Sequence, residues 1–311
     1  MPEVVGYLFP GQGAQYVGMG KDLFEGISSA RKIFEKADSL LGYSISRLCF
    51  EGPEDKLTRT LYAQPAIFVT SLAALAALQE KFPEISPALT AGLSLGEFTA
   101  LVAAGSFSFE TGLKLVQTRA DAMEKSAAKY QGTMASIIGL TQPECESIAK
   151  QAGCEVANLN APDQIVLSGT EESIERACRL SESKGARRVL RLKVGGAFHS
   201  SLMREAKENL EKALAATSIE RPRNAFIPNV LAKCVLGPAE IRSLLAQQLM
   251  SPVRWVETMA TAGELGVSFF LEIGPGKVLK GLARKTLSAA TVEPCGTVAE
   301  IQKLEQLFSK V

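Results

Sequence analysis

Ala88-Leu89-Thr90-Ala91-Gly92-Leu93-Ser94-Leu95-Gly96 reads as a short apolar strand, a tight turn carrying one serine, and the start of a helix that runs from Leu95 to Ala104 and closes at Gly105. Gly92 to Gly96 fits G-x-S-x-G, the elbow that lifts a serine hydroxyl clear of a sheet while small glycines let backbone come close. The helix behind it supplies free N–H groups and positive potential where an oxyanion would develop. A plain strand-to-helix turn with two glycines would carry the same letters, so the motif needs corroboration from the rest of the chain.

On the N-terminal side, Val4 to Phe9 is an apolar run ended by Pro10-Gly11 and predicts a buried strand feeding a loop. Gln64-Pro65 predicts a helix start with proline in the first turn, with Ile67, Leu72, Leu75 and Leu78 on its apolar side. On the C-terminal side, strand patterns at Met134–Gly139, Cys154–Leu159, Gln164–Gly169 and Arg188–Lys193 alternate with helical ones at Pro143–Gln151 and Glu171–Ser183. The order β-α-β-β-α-β is that of a ferredoxin-like module. The expected fold is α/β, a large domain (1–130 and 196–311) interrupted by a small one (131–195), with a cleft between the two lobes suited to a ligand.

Composition narrows the function. The chain has 311 residues, 46% of them hydrophobic, and its 34 Lys and Arg against 33 Asp and Glu leave a net charge of +1. That balance argues against general nucleic-acid binding, which needs a basic excess. No uninterrupted apolar run reaches the ~18 residues of a membrane span, and Met1 to Gly6 lacks the basic start of a secretory signal. The six cysteines are scattered without a CxxC pair, as small hydrophobes in a reduced compartment would be. A single histidine, His199, excludes metal sites built on several imidazoles, and no metal or cofactor is expected.

His199 in Gly195-Gly196-Ala197-Phe198-His199-Ser200-Ser201 is the one imidazole that could take a proton from Ser94. Asp163 stands between them in the Ser…Asp…His order of α/β-hydrolases, yet its Ala-Pro-Asp-Gln setting is that of a turn. Arg119 sits beside Val116 and Met123 on the apolar stripe of a helix from about Glu110, and buried guanidinium requires an anionic partner, protein carboxylate or ligand. Phe9 to Gln15 is Gly-rich but neither a P-loop nor G-x-G-x-x-G, and reads as backbone closing on a ligand or on Ser94. Leu271 to Lys277 reads as another strand-to-helix junction.

Together these segments resemble the malonyl-CoA:acyl carrier protein transacylases of fatty-acid synthesis. The resemblance rests on Phe9–Gln15, Gly92–Glu97, Gly196–Ser200, Ser251–Trp255 and Glu272–Gly276, in the family's order across nearly the whole chain. It implies a hydrolase-like α/β domain carrying a ferredoxin-like insert. It further implies Ser94 as nucleophile and His199 as base, the backbone N–H groups of Gln12 and Leu95 as oxyanion hole, and Arg119 as the grip on the malonyl carboxylate. The main-chain carbonyl of Gln248 would orient the histidine, so no acidic partner is required. Leu93 replaces the histidine found in many members, and Phe198 resembles malonyl-selective ones; both are assigned to the acyl pocket.

Malonyl-CoA and an acidic, transiently bound acyl carrier protein are the implied partners, and the enzyme is expected to be a monomer in the cytoplasm, or in plastid stroma for a mature plant protein. Lys184, Arg187, Arg188, Arg191 and Lys193 crowd the end of the insert, close in sequence to His199, either a docking patch or a charged strand edge. A serine thioesterase or esterase that releases acid to water is the alternative enzyme, and a catalytically silent binding subunit the alternative of another class.

Overall fold

The computed structural model describes residues 4–308; residues 1–3 and 309–311, the extremities of the expected large domain, lie outside the described residues. Among the described residues nine strands form. They are β1 (Val5–Phe9), β2 (Leu89–Gly92), β3 (Thr133–Ile138), β4 (Glu155–Ala161), β5 (Gln164–Gly169), β6 (Arg188–Arg191), β7 (Ala225–Ile227), β8 (Phe269–Ile273) and β9 (Thr291–Cys295).

Five of them make one sheet in the order β7-β2-β1-β8-β9, every neighbouring pair parallel. Its central strand β1 is buried along its whole length, which is why Val5-Gly6-Tyr7-Leu8-Phe9 is apolar without alternation. Because β1 and β2 run side by side in the same direction, their C-terminal ends deliver Pro10-Gly11-Gln12 and Leu93-Ser94 to the same edge, the edge where open α/β sheets bind ligands.

Helices flank this sheet, and the longest, Thr60–Lys81, is a core element rather than an amphipathic one. It starts one turn before the expected Gln64-Pro65, so Pro65 lies inside it. Proline there costs one hydrogen bond to the carbonyl four residues back. The loss is outweighed by burial of nearly every side chain from Ala63 to Leu75, on all sides of the helix. By length and composition alone this helix could cross a membrane, but 83% of its most apolar window is buried within the protein.

The other four strands form the expected antiparallel module, in the order β4-β5-β3-β6, within residues 133–191. The helices Gln142–Ala152 and Glu171–Ser183 connect them. Thr141 and Glu144 form a reciprocal capping box at the first, and Thr170 caps the second by accepting from Ser173 N–H. β6 is a sheet edge; Arg188 and Arg191 are exposed and Val189 and Leu190 only partly covered, so the predicted alternation is not realised.

The module lies in the chain between β2 and β7, which are direct neighbours in the large sheet. It is also stitched to the larger lobe through main chain. Leu159 N–H donates to the Val253 carbonyl at 2.9 Å, and Val253 N–H to the Ala157 carbonyl at 2.8 Å. The Ser251–Trp255 motif is therefore a seam between the lobes, anchored by the fully buried Trp255.

Candidate active site

Ser94 leaves β2 at φ +52°, in the left-handed region that non-glycine residues rarely occupy. Its neighbours make that turn possible. A Cβ on Gly92 would lie 2.0 Å from the Gly96 carbonyl carbon, and one on Gly96 would lie 2.2 Å from the Phe9 carbonyl oxygen. Only glycine permits such approaches. The expected closeness of the first loop is also present: a Cβ on Gly11 would meet the Leu93 oxygen at 2.4 Å.

Side chains from distant segments hold the strained residue. Asn229, just past β7, accepts the Ser94 N–H at 2.7 Å and donates its own amide to the Gly92 carbonyl at 2.8 Å. Gln248 Nε2 donates to the Ser94 carbonyl at 2.9 Å. Glu97, fully buried on the helix after the elbow, accepts the Asn229 backbone N–H through Oε1 and Gln248 Nε2 through Oε2, the latter at 2.7 Å. Burial pushes its carboxyl well above the ordinary range, against the pull of these donors and of Arg119.

Ser94 Oγ and His199 Nε2 stand 2.9 Å apart. The other ring nitrogen, Nδ1, is 2.8 Å from the Gln248 carbonyl. A carbonyl can only accept, so Nδ1 carries the proton and Nε2 presents its lone pair to the serine hydroxyl. Asp163 takes no part. It is on the β4–β5 turn, ion-paired with Arg187 and Lys285.

Arg119 reaches the same point from the Phe109–Lys129 helix with 1% of its surface exposed. Nη2 donates to Ser94 Oγ and to Gln248 Oε1, both at 2.9 Å, and Nη1 donates to Gln64 Oε1 at 2.7 Å. Among the described residues no carboxylate lies within ion-pair distance of it, and its Nε has no partner. The internal ion pair that its pattern allowed is absent, and the cation is held by amides. Burial lowers its pKa to about 10 with Glu97 opposing, which leaves it charged at neutral pH.

Both N–H groups named for the oxyanion hole, those of Gln12 and Leu95, lack a hydrogen-bond partner among the described residues. Gln12 is itself fixed by its side-chain amide on Thr60 Oγ1 at 3.2 Å. These groups line a cleft of about 470 Å³ together with Leu93 and Phe198 from the larger lobe and Met134, Asn158 and Val166 from the smaller sheet. Gln248 lies beneath it, fully buried. A larger groove of about 580 Å³ beside Ser106 and Phe107 contains no histidine and is remote from this chemistry.

Glu97 and Asn229 escaped the sequence reading. Glu97 was visible only as the last letter of the elbow motif, and nothing in the run Pro228-Asn229-Val230 marks a brace for a residue 135 positions away. The basic group near the insert's end divides. Arg187 pairs with Asp163 and Arg191 with Glu171 and Glu175, while Lys184, Arg188 and Lys193 make no ion pair among the described residues.

Residues 6–310 match the sequence model of the acyl transferase domain. The chain belongs to that family. Among acyl transferases it is 43% identical over 288 residues to the malonyl CoA-acyl carrier protein transacylase of Bacillus subtilis, covering 90% of each chain. It is 35% identical over 304 residues to the enzyme of that name from Escherichia coli K12, with 95% of this chain and 98% of that one covered. A polyketide-biosynthesis transacylase of Bacillus subtilis is 39% identical over 296 residues, covering 94% and all of the two chains. Of solved structures, the transacylase of Coxiella burnetii superposes with a TM-score of 0.94 at 35% identity, over 98% of both chains. A malonyl-transacylase in complex with a holo type II polyketide acyl-carrier protein does so at the same score and identity, over 98% of this chain and all of that one.

The acyl transferase site carries a pH signature. Burial, then the Arg119 charge, lowers the His199 pKa to about 4, against the accepting carbonyls of Gln248 and Ser251. A base works only when neutral, so a depressed pKa extends activity to lower pH. In rapid-quench acylation the acid limb of kcat/KM is expected to have its midpoint near pH 4, not near the ordinary ~6.5 of histidine. Arg119→Gln should move that midpoint upward; an unshifted limb would mean the arginine does not act on His199.

Proposed function

We propose that the protein transfers the malonyl group from malonyl-CoA to the phosphopantetheine thiol of acyl carrier protein through a malonyl-serine intermediate, in a ping-pong cycle. The observation that carries this reading is the meeting of a serine–histidine pair at 2.9 Å with a buried arginine that has no carboxylate of its own. A serine–histidine pair alone suits any acyl chain. A buried cation held by neutral amides and a hydroxyl suits one that ends in an anion.

In the first half-reaction His199 Nε2 takes the Ser94 proton as Oγ attacks the thioester carbon, and the developing oxyanion is met by the Gln12 and Leu95 N–H groups. The tetrahedral adduct collapses, the carbon–sulfur bond breaks, and the imidazolium returns its proton to the leaving thiolate of CoA. The second half reverses this with the carrier's thiol as nucleophile: His199 removes its proton, the thioester forms, and Ser94 Oγ leaves with the proton back in place. Arg119 offers two parallel N–H bonds to the malonyl carboxylate, giving up its contact to Ser94 Oγ. Leu93 and Phe198 bound the acyl chain, where a bulky ring disfavours an α-methyl branch by about 1–3 kcal/mol.

The insert spanning about 131–195 forms the other wall of the cleft, and Lys184, Arg188 and Lys193 on or near its edge, without an ion pair among the described residues, suit an acidic carrier. The proposed setting is the cytoplasm or a plastid stroma, the protein acting as a monomer without cofactor or metal. Hydrolysis by the same serine is the competing outcome, and one assay separates the two: malonyl-CoA and carrier protein are incubated with the enzyme and the masses of both proteins followed.

Wild-type protein should gain a malonyl adduct and pass it to the carrier, whereas Ser94→Ala gains none. An adduct of undiminished yield in that variant would place the nucleophile elsewhere. Arg119→Ala should lose about a hundredfold in malonyl kcat/KM, as expected for two charge-assisted hydrogen bonds of ~1.5 kcal/mol each, while acetyl transfer survives within tenfold. Equal loss on both donors would make the arginine structural. Reversing Lys184, Arg188 and Lys193 to glutamate should raise the carrier's KM severalfold and leave that of malonyl-CoA alone; an unchanged carrier KM removes the patch from docking.

A further inference from the structure

Glu97 is a fully buried acid that the steps above do not use, with no lysine or arginine at ion-pair distance among the described residues. Its oxygens face two different donors, the main-chain N–H of Asn229 at Oε1 and Nε2 of Gln248 at Oε2. Each oxygen accepts one of these bonds, and no acceptor for a carboxylic proton is hydrogen-bonded to the group.

The Gln248 side chain is the joint through which this acid touches the site. Its Nε2 donates to Glu97 Oε2 at 2.7 Å and to the Ser94 carbonyl at 2.9 Å, and its Oε1 accepts from Arg119 Nη2 at 2.9 Å. Each of these neighbours is one-directional: carboxylate and carbonyl accept only, guanidinium donates only. One orientation of the amide satisfies all three.

We infer that Glu97 is a positioning residue for choice of acyl donor: by accepting from Gln248 Nε2 it turns Gln248 Oε1 onto Arg119, and so fixes the guanidinium where the donor's free carboxylate arrives. This rests on the malonyl-transfer reading above. The isosteric amide exposes the mechanism. In Glu97→Gln one oxygen becomes NH2, and the Asn229 main-chain N–H cannot turn away, so the new side chain keeps its oxygen there and points NH2 at Gln248. Two donors then oppose each other. Gln248 can relieve this only by rotating its amide, which directs NH2 at Arg119 and an oxygen at the Ser94 carbonyl. Arg119 loses its acceptor and its fixed pose.

The test compares malonyl-CoA and acetyl-CoA as donors on the same preparation of wild type, Glu97→Gln, Gln248→Ala and the double variant. The readout is the ratio of kcat/KM for the two donors, from which any inactive fraction cancels. Glu97→Gln should lower the malonyl-to-acetyl ratio at least tenfold, mainly through a higher KM for malonyl-CoA, while acetyl-CoA suffers only the smaller loss that comes from withdrawing Gln248 from the Ser94 carbonyl. Gln248→Ala, which keeps the carbonyl that orients His199, should lower the ratio similarly, and the double variant no further than the deeper single one. An unchanged ratio in either single variant, or equal loss on both donors, overturns the inference. Wild type that transfers no malonyl group at all sinks the malonyl reading itself, an outcome separate from any result on the variants.

Discussion

Ser94 sits in a conformation that its own side chain disfavours, and the molecule is arranged around keeping it there. Left-handed backbone costs a non-glycine residue of order 1–3 kcal/mol, and a turn that buries its polar main chain would add to that cost. Asn229 takes the Ser94 N–H and Gln248 serves its carbonyl, while Gly92 and Gly96 clear the space that any Cβ would fill. The strain is thus held by hydrogen bonds from elements that the parallel sheet and the seam between lobes bring together. The hydroxyl emerges at the sheet edge with its orientation settled before a substrate arrives.

Electrostatics follow from the same compactness. Arg119 is buried among amides, which solvate a guanidinium without neutralising it, so its charge stays available to a ligand and at the same time bears on His199. A carboxylate in the place of Gln64 or Gln248 would satisfy the cation and remove its use. Glu97 comes no nearer than the far side of the Gln248 amide, where it can moderate the field without closing the pair.

Elements with a local signature were legible in the sequence. Gln164–Gly169 and Glu171–Ser183 form with the boundaries read from their strand and helix patterns, and the whole order of the inserted module follows from such marks. The first buried strand and the elbow were legible for the same reason. The start of the Thr60–Lys81 helix was not, because proline is a strong local signal and burial on all sides, a tertiary effect, overrode it. Ser94, His199 and Arg119 were each visible as residue types in a telling setting. Gln248 came only through family resemblance, and Asn229 and Glu97 not at all as participants, since their partners lie more than 130 positions away and depend on which strands become neighbours.

The insert between β2 and β7 also sets a timetable. The nucleophile's strand is made early, its neighbour in the sheet more than a hundred residues later, and the carbonyl that aims the imidazole later still, at Gln248. During synthesis, at roughly 5–20 residues per second, the growing chain carries Ser94 for several seconds without a base, a brace or an aimed imidazole. Reactivity toward thioesters therefore waits until synthesis has passed Gln248, and a fragment ending before that residue lacks the carbonyl that aims the imidazole.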